Sequence, residues 1–146
     1  EVCEQATADN GARFDLVVSR QVIEHVLDLD NFFACIDLLL TEDGWLFLDM
    51  PDFERGMMTG DCSTVWEEHV SYFSAPVLAW MLEQKGFTAI EMDWYDFSSG
   101  ALCVLARRRL PSDDIGNSYS HRITEIVELA RDYVVSGLHD CSPCQK

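Results

Sequence analysis

The stretch Phe14-Asp15-Leu16-Val17-Val18-Ser19-Arg20-Gln21-Val22-Ile23-Glu24-His25-Val26 decides how this chain is read. A short apolar run, Leu16 to Val18, stops abruptly at small and polar residues, and a Glu-His pair follows. Buried parallel strands read as continuous apolar runs, and in open α/β sheets ligands bind beyond their C-terminal ends. The stretch therefore predicts a buried parallel strand that delivers Ser19, Arg20 and Gln21 into a crevice.

Working outward, Leu29, Phe32, Phe33, Ile36, Leu39 and Leu40 recur at helical spacing and predict a helix ending at Thr41-Glu42-Asp43-Gly44, with Gly44 supplying the turn. Trp45 to Met50 is a second apolar strand closed by Pro51. Phe53 to Phe73 has no clean period and reads as a long loop with room for a short helix. Ser74-Ala75-Pro76 starts a helix, serine as cap and proline in the first turn, and Gly86 ends it. Phe87 to Phe97 and Ala101 to Ala106 form a hairpin about Ser98-Ser99-Gly100. From Asn117 to about Val135 an amphipathic helix places Ile123, Ile126, Val127, Ala130 and Val134 on one face.

This order predicts an α/β sheet with parallel strands, crossover helices and one antiparallel edge. Residues 1–110 form the sheet-bearing domain, and residues 111–146 a C-terminal helix and tail. The first apolar strand would have a bare edge unless further strands precede it, so the sequence is expected to be part of a longer protein. A smaller, self-contained α/β domain is the alternative.

Composition narrows the function. A net charge of −16 argues against nucleic acid and anionic membrane surfaces as partners. No apolar run approaches a bilayer span. The six cysteines do not suggest a disulfide framework; Cys35 and Cys103 lie in apolar segments as small hydrophobes, and a reducing cytoplasm is expected. Cys141-Ser142-Pro143-Cys144 is half of a metal or redox site at most, and no metal site is assigned. Arg107-Arg108-Arg109 reads as a solvated strand end.

Two segments carry a family resemblance. Phe14 to Val26 resembles the fourth strand, and the turn after it, of class I S-adenosylmethionine-dependent methyltransferases. Trp66-Glu67-Glu68-His69-Val70-Ser71-Tyr72-Phe73-Ser74 resembles the Tyr-His-Glu-His-Leu-Ser-Tyr-Phe-Ser segment of sugar C-methyltransferases, which act on nucleotide-linked deoxysugars. The order of landmarks matches from about Phe14 to Arg108. Trp66 and Glu67 depart from the pattern, replacing a tyrosine and a histidine. An indole only donates, whereas a phenol donates and accepts.

The resemblance implies the C-terminal half of a doubly wound Rossmann-like methyltransferase sheet, strands four to seven, with a C-terminal helix. The glycine-rich cofactor loop and the N-terminal half of the same protein would lie upstream. It implies S-adenosylmethionine as cofactor, with Ser19, Arg20 and Gln21 lining it chiefly through backbone groups. It implies His69 as general base with Glu68 orienting it or binding a substrate hydroxyl. Trp66, Glu67, Tyr72 and Phe73 would wall a pocket for a small-molecule acceptor such as a nucleotide-sugar. His25 is expected to pack and hydrogen-bond locally. An O-methyltransferase of lipid or quinone type and a catalytically inactive methyltransferase-like partner domain remain open. A dehydrogenase half finds no motif.

Overall fold

The computed structural model describes residues 11–61, 65–66, 68–97, 100–113 and 119–140. Glu67, Ser98, Ser99, Cys141 and Cys144 lie outside the described residues. The chain runs β1 (Phe14–Arg20), a 3₁₀ turn (Ile23–His25), α1 (Leu29–Leu39), β2 (Leu40–Pro51), α2 (Phe53–Thr59), α3 (Ala75–Gln84), β3 (Phe87–Tyr95), β4 (Ala101–Arg108) and α4 (Tyr119–Asp140).

The four strands form one sheet in the order β1-β2-β4-β3. β1 is parallel to β2, while β4 is antiparallel to both β2 and β3. The antiparallel strand is thus internal, not the edge that the hairpin alone suggested. A hairpin fixes only the pairing of its own two strands, and here β4 also pairs with β2, leaving β3 outside.

The alternation of β4 divides the sheet into two faces. Leu102, Val104 and Ala106 are buried, and their partners Met50, Leu48 and Leu46 on β2 are buried with them. Phe33 and Ile36 of α1, and Leu78, Met81 and Leu82 of α3, complete this core. Each such leucine contributes about 1.5–3 kcal/mol on burial. The other face is half-open: Leu16 and Val18 are 52% and 53% exposed, and Trp45, the register partner of Leu16, is also exposed. The expectation of a buried first strand therefore fails on this face. β1 is an edge strand among the described residues: Val17 packs against the core on the side where α1 touches the strand, while Leu16 and Val18 on the other side stay half-exposed.

Other boundaries move for local reasons. β2 begins at Leu40, directly after α1, with an irregularity where Phe14 pairs Leu40 and Leu16 pairs Trp45. Gly44 makes no left-handed turn. It is buried, and a Cβ there would meet Leu40, Thr41 and the Phe14 carbonyl at 3.0–3.1 Å, so close approach explains the glycine. The early part of the expected loop is helix α2, because buried Asp52 caps it through Oδ1, accepting the amides of Glu54 and Arg55 at 3.1 and 3.4 Å. Ser74 precedes α3, but its side chain makes no capping bond.

The basic run is tied down rather than solvated. Arg107 pairs with Asp113 at 2.8 Å and Arg108 with Asp37 at 2.7 Å. Cys35 is disulfide-bonded, against the expectation of a free thiol, while Cys103 is free. α4 packs on α2 and α3 and buries Ile126, but Val127 and Val134 of its expected apolar face are exposed.

Candidate functional site

The C-terminal ends of β1 and β2 lie side by side, with Arg20 in register with Asp49. Beyond them the chain turns sharply. Gln21 adopts a left-handed conformation with φ of 51°, and its amide donates to the Asp49 carbonyl at 2.7 Å. A non-glycine residue held there stores of order 1 kcal/mol of strain. Asp49 explains how it is held. Its side chain is 1% exposed and accepts three side-chain hydrogen bonds: Gln21 Nε2 at 2.7 Å, Arg20 Nε at 2.7 Å and the Tyr95 hydroxyl at 2.6 Å. Burial alone would raise this carboxyl, but the bonds from Tyr95, Arg20 and Gln21 outweigh it and hold the group below its ordinary range.

Of the three residues expected to meet a cofactor, Arg20 and Gln21 thus spend their side chains on Asp49, and the Gln21 amide is also used. Ser19 differs. Its Oγ is buried and has no hydrogen-bond partner among the described residues, an orphaned polar atom at the strand end. Of the three, Ser19 alone has an unspent side chain, and the Asp49 network shapes the turn beside it.

The 3₁₀ turn after β1 carries Glu24 and His25. The Glu24 carbonyl accepts the amides of Val70 and Ser71 at 2.8 and 3.1 Å. His25 Nδ1 donates to the Glu68 carbonyl at 2.9 Å. These bonds fasten the Glu-His-x-Ser-Tyr-Phe-Ser segment to the end of β1, although His25 and Glu68 stand 43 positions apart. The downstream end of the segment is fixed by the Phe53 amide on the Phe73 carbonyl at 2.9 Å.

Around this junction the aromatic side chains gather. The His69 ring lies 4.9 Å from that of His25, 5.7 Å from Trp66 and 6.3 Å from Tyr72, and Tyr72 stacks on Phe53 at 4.6 Å. The Trp66 carbonyl accepts the His69 amide at 3.0 Å and the Tyr72 hydroxyl at 3.4 Å. Trp66 and Tyr72 are exposed, and the imidazole between them is half-buried. Phe73 is different: it is 4% exposed within the hydrophobic core, so its ring supports the segment and does not face an acceptor.

The Glu68 side chain is exposed, and its backbone carbonyl, not its carboxylate, makes the observed contact to His25. The carboxylate buried among the histidines is that of Glu24, which is 2% exposed with neither oxygen hydrogen-bonded by another described residue. Burial raises its carboxyl above the ordinary range, opposed first by its own backbone amide and then by the charges of His25 and His69. Sequence reading passed over Glu24 as one half of a common pair. The signal that singles it out is spatial.

Comparison with known proteins agrees with this geometry. A family model described as a methyltransferase domain matches residues 1–92. The C-methyltransferase NovU of Streptomyces niveus is 26% identical over 126 residues, covering 86% of this chain. The chain spans 30% of that relative's length. The fold is similar to that of 1,6-didemethyltoxoflavin-N1-methyltransferase from Burkholderia thailandensis, solved with 1,6-didemethyltoxoflavin and S-adenosylhomocysteine, at a TM-score of 0.54 and 19% identity over 70% of this chain and 47% of that one. It is also similar to magnesium protoporphyrin IX methyltransferase from Synechocystis PCC 6803 with bound S-adenosylhomocysteine, at a TM-score of 0.50 and 13% identity over 70% and 48% of the two chains. With its parallel β1–β2 pair, its internal antiparallel β4 and this match over its first 92 residues, the chain belongs to the class I S-adenosylmethionine-dependent methyltransferase family.

Proposed function

We propose that this chain is the C-terminal half of the catalytic domain of a methyltransferase that uses S-adenosylmethionine to methylate a sugar or a related small molecule. The observation that carries the reading is the attachment of the His69 segment to the end of β1 through Glu24. It sets a half-buried imidazole beside the strand ends, where ligands of open α/β sheets bind.

The cofactor supplies an electrophilic methyl group on a sulfonium. The protein has to align an acceptor with that methyl and remove a proton from it. His69 takes that proton, and an imidazole suits the task because it titrates near neutral pH. Trp66 and Tyr72 flank the acceptor, and the Glu68 carboxylate is placed on the exposed side to bind an acceptor hydroxyl. Glu67, between them in sequence, joins this set on the family resemblance. Ser19 meets the cofactor, and Arg20 and Gln21 act one step back by fixing the turn through Asp49. A nucleotide-sugar is the acceptor class we favour, in a cytoplasmic setting. This rests on the Glu-His-x-Ser-Tyr-Phe-Ser run and on the similarity to a C-methyltransferase.

The open face of the sheet supports the partial-domain reading. Leu16, Val18 and Trp45 would be covered by the N-terminal half of the same protein. No helix among the described residues is long and apolar enough to cross a membrane. The test is to incubate the complete protein with methyl-labelled S-adenosylmethionine and a panel of nucleotide-sugars, then locate the label. Label on a sugar carbon or oxygen supports the reading. Label on none of the panel, with transfer to another acceptor class, removes the sugar assignment.

A further inference from the structure

We propose that Glu24, His25 and His69 form a binding site for one divalent transition-metal ion, with its open coordination positions facing the crevice. One carboxylate oxygen and one ring nitrogen from each histidine all lie within 4.8 Å of one another.

The first argument is the state of Glu24. Its carboxylate is 2% exposed, and no other residue among those described hydrogen-bonds either oxygen. An ionised carboxylate buried this way costs several kcal/mol unless a cation or a proton accompanies it. The second argument is the tautomer of His25. Its Nδ1 donates to the Glu68 carbonyl at 2.9 Å, which leaves the lone pair of the neutral ring on Nε2. That atom sits 3.9 Å from Glu24 Oε1. Two electron-rich atoms therefore face each other across a gap. A histidine whose other nitrogen is bonded to a carbonyl is also the usual arrangement of a metal ligand, because the outer bond fixes tautomer and ring orientation.

The third argument is the rigidity of the frame. The Glu24 carbonyl holds Val70 and Ser71, so the segment bearing His69 cannot drift from the turn bearing the other two ligands. Two imidazoles and one carboxylate suit zinc, cobalt or manganese better than magnesium, which prefers oxygen and keeps its water. Metal–ligand bonds of about 2.0–2.2 Å place donor atoms roughly 3.4 Å apart in a tetrahedral site. The present separations, 3.9 Å for His25 Nε2 to Glu24 Oε1 and up to 4.8 Å across the group, must contract by roughly 0.5–1.4 Å, which turns of the two rings would supply.

The site goes beyond the methyl-transfer reading, and its role there rests on that reading. An ion held here would have positions free for an acceptor oxygen and would make a hydroxyl bound there more acidic. The base role of His69 belongs to the ion-free state, because a ring nitrogen that binds the ion does not take a proton.

The test uses this chain carrying Cys141→Ser and Cys144→Ser, which removes the tail thiols, with Co²⁺ alone as the probe. Titration should show visible ligand-field absorption saturating at one ion per chain, with Kd of about 10 µM or tighter. Zn²⁺ should displace it. Glu24→Gln and His25→Ala should each weaken binding by about 100-fold. Binding unchanged by both substitutions, or no binding, overturns the proposal and assigns a proton to the Glu24–His25 gap. Should Glu24→Gln fail to fold, ring resonances of His25 and His69 in the chain without that substitution take its place. Paramagnetic perturbation of both rings by Co²⁺ supports the site, and unperturbed rings overturn it. Failure of the methyl-transfer reading looks different: a chain that binds the ion here keeps the site even if the complete protein methylates nothing.

Discussion

The carbonyl oxygen of Glu24 accepts the backbone N–H of Val70 at 2.8 Å, and that bond joins two segments that the sequence keeps far apart. Everything proposed for His69 depends on it. Proline at position 70 removes the donor, while the exposed valine side chain contributes little. Val70→Pro is expected to lower stability by about 1–3 kcal/mol in urea unfolding. Val70→Ala should stay within about 0.5 kcal/mol of the unsubstituted chain. Equal effects of the two would mean that the side chain, not the amide, holds the segment.

Asp49 holds the other turn. Its carboxyl is depressed in the folded state, so it contributes stability that is complete above the ordinary carboxylate range and is lost as pH falls through the lower folded value. Asp49→Asn should cost roughly 2–4 kcal/mol at neutral pH, because a buried acceptor of three side-chain bonds is weakened. The gap between the two proteins should narrow as the pH is brought down to about 3, since the aspartate then loses its own advantage. Parallel urea titrations at the two pH values give the comparison.

Gly100 sits at φ of +114°, and its carbonyl accepts the Asp52 amide at 3.1 Å. A Cβ there would approach Arg55 Cδ at 2.7 Å. The Arg55 side chain can move, but the backbone conformation remains strained for any L side chain. Gly100→Ala is therefore expected to destabilise the chain by about 1–3 kcal/mol, with most of the loss retained when Arg55 is also shortened to alanine. Full recovery in that double variant would assign the cost to the contact instead.

The open sheet face gives a prediction that separates this chain from the complete protein. Val18→Lys places a charge at a half-exposed position here and should change stability by less than about 1 kcal/mol. In a longer protein whose N-terminal half covers this face, as proposed above, the same substitution should cost several times more, because the ammonium would be buried. Thermal melts of the two proteins, with and without the substitution, decide it.

The sequence made the sheet legible where patterns are local. The apolar run at Leu16 to Val18, the strand through Leu46 and Leu48, and the hairpin of β3 and β4 all follow from periodicity and turn residues. The position of β4 inside the sheet did not, because strand order is a non-local choice and a hairpin is compatible with either arrangement. α2 was hidden for another reason: its seven residues are too few to show a helical period, and its cap, Asp52, lies just after a proline that marked the strand end. At the site, His69 and Tyr72 stood out through their motif. Phe73 sat in the same motif but faces the core, and motif membership does not report which way a ring points. Asp49 was legible as a strand-end residue facing the crevice and Glu24 only as half of a common pair, whereas Tyr95 was missed because it is an ordinary residue in its own strand and only the folded sheet brings it to Asp49.

The most direct measurement of the central claim is methyl transfer from labelled S-adenosylmethionine by the complete protein with and without His69→Ala, alongside cofactor affinity by calorimetry. A base in contact with the acceptor contributes on the order of 100-fold or more, so turnover should fall by at least that factor while cofactor affinity stays nearly unchanged. Unaltered turnover, or a loss of cofactor binding equal to the loss of rate, would contradict the placement of His69 at the acceptor.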